Sequence, residues 1–220
     1  MCVKREKAQL LFYIEELFKE RDVNVMRKEH DFLGEMEIPE DVYYGVQTMR
    51  AIENFRITGQ TIDKDFVQSM AKVKKAAALA NMSTGRLEES IGKALVQAAD
   101  EIIAGQMLDQ FPVDPIQGGA GTSVNMNTNE VLVNRALEIM GQPKGRYDII
   151  SPNNHANMAQ STNDSFPTGI KVCVSTKSKK LSQALNRLAD ELDRKALEFK
   201  DVLKMGRTHL QDAVPITLGQ

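Results

Sequence analysis

The apolar residues of segment 167–200 recur at helical spacing over a longer stretch than anywhere else in the chain. They follow one another at intervals of three or four positions: Leu181, Leu185, Leu188, Leu192, Ala196 and Phe199. With a rise of about 1.5 Å per residue, this pattern predicts a helix about 50 Å long. The stripe lacks the β-branched a and d positions of a coiled coil. We therefore expect the helix to belong to a helical bundle.

Other segments predict shorter helices, and almost no strand signal is present, so the predicted class is all-α. Gly and Pro residues punctuate segments 31–60 and 142–160, which are predicted to be irregular. The predicted helices cover residues 3–20, 65–83, 88–108 and 122–140. The predicted organisation is an extension of unknown role over 1–26, an N-terminal helical domain over 27–160, and the start of an incomplete central helix-bundle domain over 161–220.

Composition narrows the classes of partner. A net charge of −2 gives no electrostatic basis for binding nucleic acid or an anionic membrane. No apolar run approaches the roughly 18 residues that a membrane span needs. The two cysteines and three histidines are not spaced as metal ligands, so we expect no metal site. The cysteine usage favours a cytoplasmic location.

Four small hydrogen-bonding residues occupy positions 161–164, just before the long apolar repeat. Ser, Thr, Asn and Asp are the preferred N-cap residues, and Pro167 suits a first helical turn, so capping is one interpretation. A cap uses only one or two such residues. A ligand-binding turn is therefore the other interpretation.

A second polar cluster, GGAGTSVNMNTNE, covers residues 118–130. Its small residues allow close backbone approach, and Thr122 and Ser123 open a helix whose free N–H groups point at the same place. Because no Gly-Lys-Ser/Thr follows, this is not a nucleotide-binding P-loop. Asn127, Glu130 and Asn134 share one helical face. That face is either a polar interior, a ligand-binding surface or a solvated side of the helix.

A third cluster, GRTHLQDAVPITLGQ, covers residues 206–220 and is predicted to be a helix end followed by a proline-containing loop. His209 is either structural or a proton carrier or hydrogen-bond donor near neutral pH. The three clusters together offer hydroxyls, amides and helix N-termini with few charges. Such neutral donors suit a small dicarboxylate and an enolate-like transition state.

Four segments carry a resemblance to a known family. They are DFLGEMEIPEDVYYGVQTMRAIENF (31–55), DQFPVDPIQGGAGTSVNMNTNEV (109–131), QSTNDSFPTGI (160–170) and LKMGRTHLQDAVPITLGQ (203–220). From about residue 27 onwards the chain resembles the aspartase/fumarase superfamily. Class II fumarases usually read Gly-Ser-Gly-Thr-Gln-Ser and Ser-Ser-Asn-Asp where this chain has Gly-Gly-Ala-Gly-Thr-Ser and Ser-Thr-Asn-Asp. The residues of these two motifs are thus similar to those of the aspartases within the superfamily.

The resemblance implies an activity and an assembly. The activity is reversible deamination of L-aspartate to fumarate and ammonia through an aci-carboxylate intermediate, and we expect no cofactor. The assembly is a homotetramer of the full-length protein, in which long helices pack into a common core. The expected partner is accordingly a small dicarboxylate.

The resemblance also implies residue roles. Thr122, Ser161 and Thr162 would bind the substrate carboxylates. Asn163, Thr208 and His209 would hold the amino group and the leaving ammonia, with His209 a possible assistant in catalysis. Ser123, Asn127 and Glu130 would line the pocket.

The resemblance places the catalytic base elsewhere. In the family, a serine on a Gly-Ser-Ser-x-Met-Pro-x-Lys-x-Asn-Pro loop takes the proton, and we expect this loop beyond Gln220. No residue of the chain is therefore assigned as the base, and the chain alone is expected to be inactive. Two alternatives stay open: a class II fumarate hydratase, and a non-catalytic truncated homologue.

Overall fold

A computed structural model describes residues 25–220. The helix predicted over residues 3–20, and nearly all of the extension predicted over 1–26, lie outside the described residues. The described chain divides into two compact units, which we call the first unit, ending at Ile170, and the second unit, Lys171–Gln220. The domain boundaries predicted from the sequence stay predictions.

The first unit is built mainly from helices, with one small antiparallel hairpin. The hairpin pairs Met26 with Pro39 at one end and Asp31 with Gly34 at the other. A short 3-10 turn covers Leu108–Gln110 and a π-helical turn covers Pro152–Ala156. The main elements are β1 (Met26–Asp31), β2 (Gly34–Pro39), α1 (Val46–Asn54), α2 (Lys64–Ser83), α3 (Glu89–Ile103), α4 (Thr122–Ile139) and the start of α5 (Thr162–Glu198).

Helix α4 lies at the centre of the first unit, and most of its residues are buried. Val131, Leu132 and Leu137 are among its core side chains, each at most 1% exposed. Helices α2 and α3 pack against each other, and α3 also packs against α4. Burial of these apolar faces supplies most of the favourable free energy of folding. The mostly helical class predicted from the sequence is confirmed, with a small amount of sheet.

Helices with strong local signals begin and end where the sequence predicts. The Asp63 carboxylate accepts a hydrogen bond from the Phe66 N–H at 3.1 Å and caps α2, which ends before Gly85 in the left-handed region. Helix α4 ends before Gly141, whose φ is 70°. The helix predicted over 88–108 stops earlier, at Ile103, because Gly105 and Met107 adopt positive φ.

The expectation of irregular structure over 31–60 is wrong. The segment 31–60 contains α1 and, with β1, the first hairpin. No local signal predicts α1, because its N-cap residue is Gly45, which has no side chain to accept a hydrogen bond from the first turn. The hairpin is fixed by Arg27, whose guanidinium donates to the carbonyl oxygens of Pro39, Val42 and Tyr44 at 2.7–2.9 Å. These contacts join residues 12–17 positions apart and leave no local pattern.

The predicted long helix is confirmed as α5, which has 37 residues and is therefore about 55 Å long. It begins at Thr162 instead of at Pro167, so the proline lies inside the helix rather than in its first turn. The proline removes only one bond, the one to the Asn163 carbonyl, and this loss near a helix end is tolerated.

The second unit contains the rest of α5 and a hairpin. Strands β3 (Leu203–Thr208) and β4 (Gln211–Thr217) pair antiparallel, with Met205 opposite Pro215. The helix end and loop predicted over 206–220 are therefore wrong, since α5 ends at Glu198. Within residues 25–220, no helix combines the length and the apolarity that crossing a membrane requires.

Candidate functional site

The first turns of α4 and α5 lie against each other in the first unit. Gly121 precedes α4 with φ of 82°, and a Cβ there would lie 2.2 Å from the Phe166 ring. Asn125, one turn into α4, donates to Thr162 Oγ1 at 3.1 Å and accepts from Ser165 Oγ at 3.1 Å. The structure thus brings together two clusters that are separate in the sequence.

Residues 161–163, which we call the 161–163 turn, cap α5. Ser161 Oγ accepts from the Asn163 N–H at 3.2 Å, and the Ser161 carbonyl accepts from the Ser165 N–H at 2.9 Å. Capping is therefore confirmed, but only Ser161 supplies the cap. Thr162 Oγ1 accepts from Asn125, so its own O–H points to another acceptor. Ser161 and Asn163 are exposed.

The N-terminus of α4 offers donors beside this turn. Gly121 provides no side-chain cap, and Gln117 Oε1 accepts the Val124 N–H at 2.8 Å. In the portion of the chain that the structure describes, the N–H groups of Thr122 and Ser123 have no acceptor. Thr122 is exposed and Ser123 half-buried. An 18-residue helix directs its positive end at this point, which favours a carboxylate there.

Asp114 fixes the loop that leads to α4, and sequence reasoning did not single it out. Its Oδ2 accepts from the N–H groups of Thr58 and Gly59 at 2.6 and 3.1 Å, and its Oδ1 from the Ile116 N–H at 2.8 Å. Burial raises the pKa of this carboxyl, but these hydrogen bonds outweigh it and lower the pKa to about 2. Asp114 therefore stays ionised and holds the loop.

Glu130 lies in the interior and closes the N-terminus of α1. Its Oε2 accepts from the N–H groups of Gly45 and Thr48 at 2.9 and 3.1 Å, and Oε1 accepts from the Gln47 N–H at 2.9 Å. The Thr48 hydroxyl also donates to Oε2, at 2.5 Å. Burial raises the pKa of Glu130 to about 7, although these donors act in the opposite direction.

The asparagines of α4 show that its polar face is an interior one, so a solvated face is excluded. Asn127 donates to the Gln110 carbonyl at 3.0 Å, and Asn134 donates to the Tyr43 carbonyl at 2.8 Å. Among the described residues, the Oδ1 atoms of Asn127 and Asn129 are buried without a hydrogen-bond partner. Lining of a substrate pocket by Asn127 and Glu130 stays a prediction. The contacts give both side chains a structural role within the unit.

Lys74 is a further residue that sequence reasoning missed. It lies on α2 and is 2% exposed, and its Nζ donates to Asn157 Oδ1 and Gln160 Oε1, both at 3.0 Å. Burial lowers its pKa to about 7. The signal was available, because Lys74 falls in the same helical stripe as the core residues Val67, Met70, Ala71 and Ala78.

Thr208 and His209 belong to the second unit, at the tip of the β3–β4 hairpin. His209 and Leu210 form its two-residue connection, with φ of 52° and 59°. A turn of this kind favours Asn-Gly, so a His-Leu pair is strained there. The roles of Thr208 and His209 as site residues stay predictions.

No metal site is evident in residues 25–220, where no group of three or more His, Cys, Asp or Glu side chains is placed to hold an ion.

Comparison with known proteins gives one family and several named relatives. The family model described as Lyase matches residues 34–220. The chain is 59% identical to an aspartate ammonia-lyase from a Bacillus species over 89% of its length, and 61% identical to that of Bacillus subtilis over 88%. It is 54% identical to the aspartate ammonia-lyase of Escherichia coli over 90%. The chain spans 41–42% of the length of these relatives.

Solved structures show the same relationship. A fumarate lyase:delta crystallin from Brucella melitensis, bound to cobalt, matches with a TM-score of 0.83 and 49% identity. A class II fumarase from Schistosoma mansoni matches with a TM-score of 0.80 and 38% identity. Each match covers 89% of this chain and 43% or 41% of the other.

Proposed function

Because the chain belongs to the lyase family, we propose that it is part of an aspartate ammonia-lyase, which removes ammonia from L-aspartate to give fumarate. The sequence identity to aspartate ammonia-lyases and the residues of the polar motifs support this function over those of other members of the family. The chain contributes residues that bind the substrate.

One observation carries the proposal: the N-termini of α4 and α5 meet and together present hydroxyl and amide donors at one place. The exposed Thr122 and the 161–163 turn lie on these two helix ends, which Asn125 joins through Thr162. Two helix N-termini and fixed neutral donors stabilise the carboxylates of a dicarboxylate substrate. They also stabilise charge that develops on one carboxylate during the reaction.

The proposed chemistry is an elimination. A base takes a proton from Cβ, the electron pair moves onto the adjacent carboxylate to form the aci-carboxylate, and its collapse expels ammonia from Cα. Thr122, Ser161 and Thr162 donate to the carboxylate oxygens, and donors fixed in advance favour the charged intermediate over the ground state. Asn163, Thr208 and His209 bind the amino group.

Proton abstraction is assigned to no residue of this chain. The resemblance gives that role to a serine within a Gly-Ser-Ser-x-Met-Pro motif, which the sequence does not contain. His209 is proposed to assist by binding the departing ammonia.

The test is fumarate formation, followed by its ultraviolet absorbance, with the full product of the gene that encodes this chain. L-Aspartate and L-malate are supplied side by side. Turnover of aspartate alone is expected. Turnover of malate would identify a fumarate hydratase instead, and turnover of neither would favour a non-catalytic homologue.

A matched pair of variants tests the site itself. Thr162→Val keeps the shape of the side chain and removes its hydroxyl, and we expect it to lower kcat/KM by about 10²-fold. Thr61→Val, at an exposed position between α1 and α2, should leave kcat/KM unchanged. Equal activities of the two variants would remove Thr162 from the site.

We propose in addition that the protein self-associates through α5, as a homotetramer located in the cytoplasm. Leu181, Leu185, Leu188 and Leu192 are each 54–61% exposed along one stripe of this helix. An apolar stripe of this length favours burial against another helix. Replacing Leu185 and Leu188 by Glu should reduce the mass measured by sedimentation equilibrium, whereas Lys179→Glu should not.

A further inference from the structure

Lys74 is a cation at a core position of α2. The helix turns its stripe of Val67, Met70 and Ala78 into the interior, and Lys74 lies in that stripe with 2% of its surface exposed. Its neighbour Lys75 points elsewhere and pairs with Asp100 of α3 at 2.6 Å. Burial of an ammonium group is unfavourable unless its donors are satisfied. Lys74 therefore needs hydrogen-bond partners that offset the cost of its burial.

The partners of Lys74 are neutral amide oxygens. Its Nζ donates to Asn157 Oδ1 and Gln160 Oε1, each at 3.0 Å, and forms no ion pair with any carboxylate of residues 25–220. An ammonium group can only donate hydrogen bonds. Both amides must therefore turn their oxygen atoms, and not their NH₂ groups, toward Lys74.

The orientation of Asn157 determines the orientation of Asn125, the next side chain in this series of hydrogen bonds. Asn157 Oδ1 also accepts from Asn125 Nδ2 at 3.1 Å, while Asn157 Nδ2 donates to the Gln160 carbonyl at 3.2 Å. Because Asn157 presents an oxygen, Asn125 must present its NH₂ group. The opposite end of Asn125, its Oδ1, is then the atom that accepts from Ser165 Oγ at 3.1 Å.

The chain of bonds ends at the 161–163 turn. The NH₂ group of Asn125 donates its second hydrogen to Thr162 Oγ1 at 3.1 Å. Thr162 Oγ1 thus acts as an acceptor on its inner side, and its single proton is directed to a different acceptor. If Asn125 turned over, its oxygen would take that proton, and Thr162 would lose its ability to donate outward.

We propose that Lys74 is a positioning residue that sets the hydrogen-bond direction of the Asn157–Asn125–Thr162 chain and so keeps the Thr162 hydroxyl available to a dicarboxylate. The proposal rests on the proposed function of the 161–163 turn. Burial lowers the pKa of Lys74 to about 7, and the amine donates hydrogen bonds in both of its protonation states.

The test compares Lys74→Met, which keeps length and removes every donor, with Lys74→Arg, which remains a donor only. Lys75→Met, at the half-buried neighbouring position that pairs with Asp100, is the matched control. For each full-length protein we would measure kcat and KM for L-aspartate, the dissociation constant of succinate by calorimetry, and Tm. Succinate is a dicarboxylate without an amino group, and its binding does not depend on turnover.

We expect Lys74→Met to raise KM and weaken succinate binding by about tenfold, the effect of losing one hydrogen bond to a charged group, with kcat changed less. Lys74→Arg should recover most of the affinity, and Lys75→Met should resemble the wild type. Affinities in Lys74→Met within twofold of the wild type would overturn the proposal. So would equal losses in Lys74→Met and Lys74→Arg, which would indicate packing alone.

A second variant leaves Lys74 in place. Asn125→Asp preserves side-chain shape but can only accept, so it should draw the Thr162 proton inward and weaken succinate binding as Lys74→Met does. If Lys74→Met does not fold, wild-type succinate affinity in Asn125→Asp overturns the proposal. A wild-type protein that binds succinate without converting aspartate would contradict only the proposed function. A wild-type protein that binds no succinate would overturn both.

Discussion

At the scale of single residues, Glu130 shows how a side chain in one helix can complete another. Helix α1 has a glycine at its N-cap, and the Glu130 carboxylate takes the place of the missing cap. The spacing of Asn127, Glu130 and Asn134 predicts that all three share a face, and their burial bears this out. Their partners were not predictable, because Thr48 lies 82 positions from Glu130 in the chain.

Glu130→Gln should therefore be strongly destabilising. The NH₂ group of a glutamine would face an N–H donor on one side or the other, leaving buried donors unsatisfied at a cost of about 2–3 kcal/mol. Urea unfolding at pH 7 measures this loss. Glu89→Gln, at an exposed ion pair with Lys93, should change the free energy of unfolding by less than about 0.5 kcal/mol. Similar losses in the two variants would contradict the role given to Glu130.

At the scale of elements, helices that carry local sequence signals could be predicted, whereas elements that depend on long-range contacts could not. Helices α2 and α4 were predicted nearly to the residue, because their caps, glycines and apolar spacing lie within the helices themselves. The first hairpin and α1 were missed, since the contacts of Arg27 and Glu130 that stabilise them join residues at least 12 positions apart. The second hairpin was missed because its turn has His209 and Leu210 where Asn-Gly would have signalled it.

The contact between α4 and α5 gives a prediction at this scale. Gly121→Ala would add a Cβ 2.2 Å from the Phe166 ring at a φ of 82°, and we expect it to destabilise the first unit by about 2–3 kcal/mol. Gly85→Ala isolates the backbone part of this cost, because its φ is 69° and its Cβ would meet open space. Adding Phe166→Ala to Gly121→Ala should recover part of the steric cost in a thermal unfolding series.

At the scale of the whole molecule, two buried groups make stability depend on pH in opposite directions. The pKa of Glu130 is raised from 4.5 to about 7, so its contribution is full below pH 4.5 and is lost as pH rises through 7. The pKa of Lys74 is lowered from 10.5 to about 7, so its contribution is full above pH 10.5 and is lost as pH falls through 7. Together they give a minimum near pH 7.

Denaturant unfolding at pH 5.5, 7 and 9 would show this minimum. We expect Glu130→Gln to remove the decrease between pH 5.5 and 7, and Lys74→Met to remove the increase between pH 7 and 9. Wild-type pH dependence in both variants would contradict the assignment.

The mostly helical class and the family resemblance came from sequence patterns, whereas the interior bond network did not. Asn157 and Gln160 lie in the segment 142–160, whose composition predicts only irregular structure. Their roles depend on Lys74, a residue 83 positions before Asn157. The sequence motifs identify the polar clusters, but the direction of their hydrogen bonds can be read only from the structure.

The burial of Glu29 has a consequence for the order of events during protein synthesis. Its carboxylate accepts from the Tyr147 hydroxyl at 2.9 Å, and the two residues are 118 positions apart. At elongation rates of about 5–20 residues per second, Tyr147 is added roughly 6–24 s after Glu29. Throughout that interval the buried Glu29 carboxylate lacks one of the donors that it has in the folded unit. Among the elements of residues 25–170, the two strands are thus made first, and this donor to them is added only after α4 has been translated.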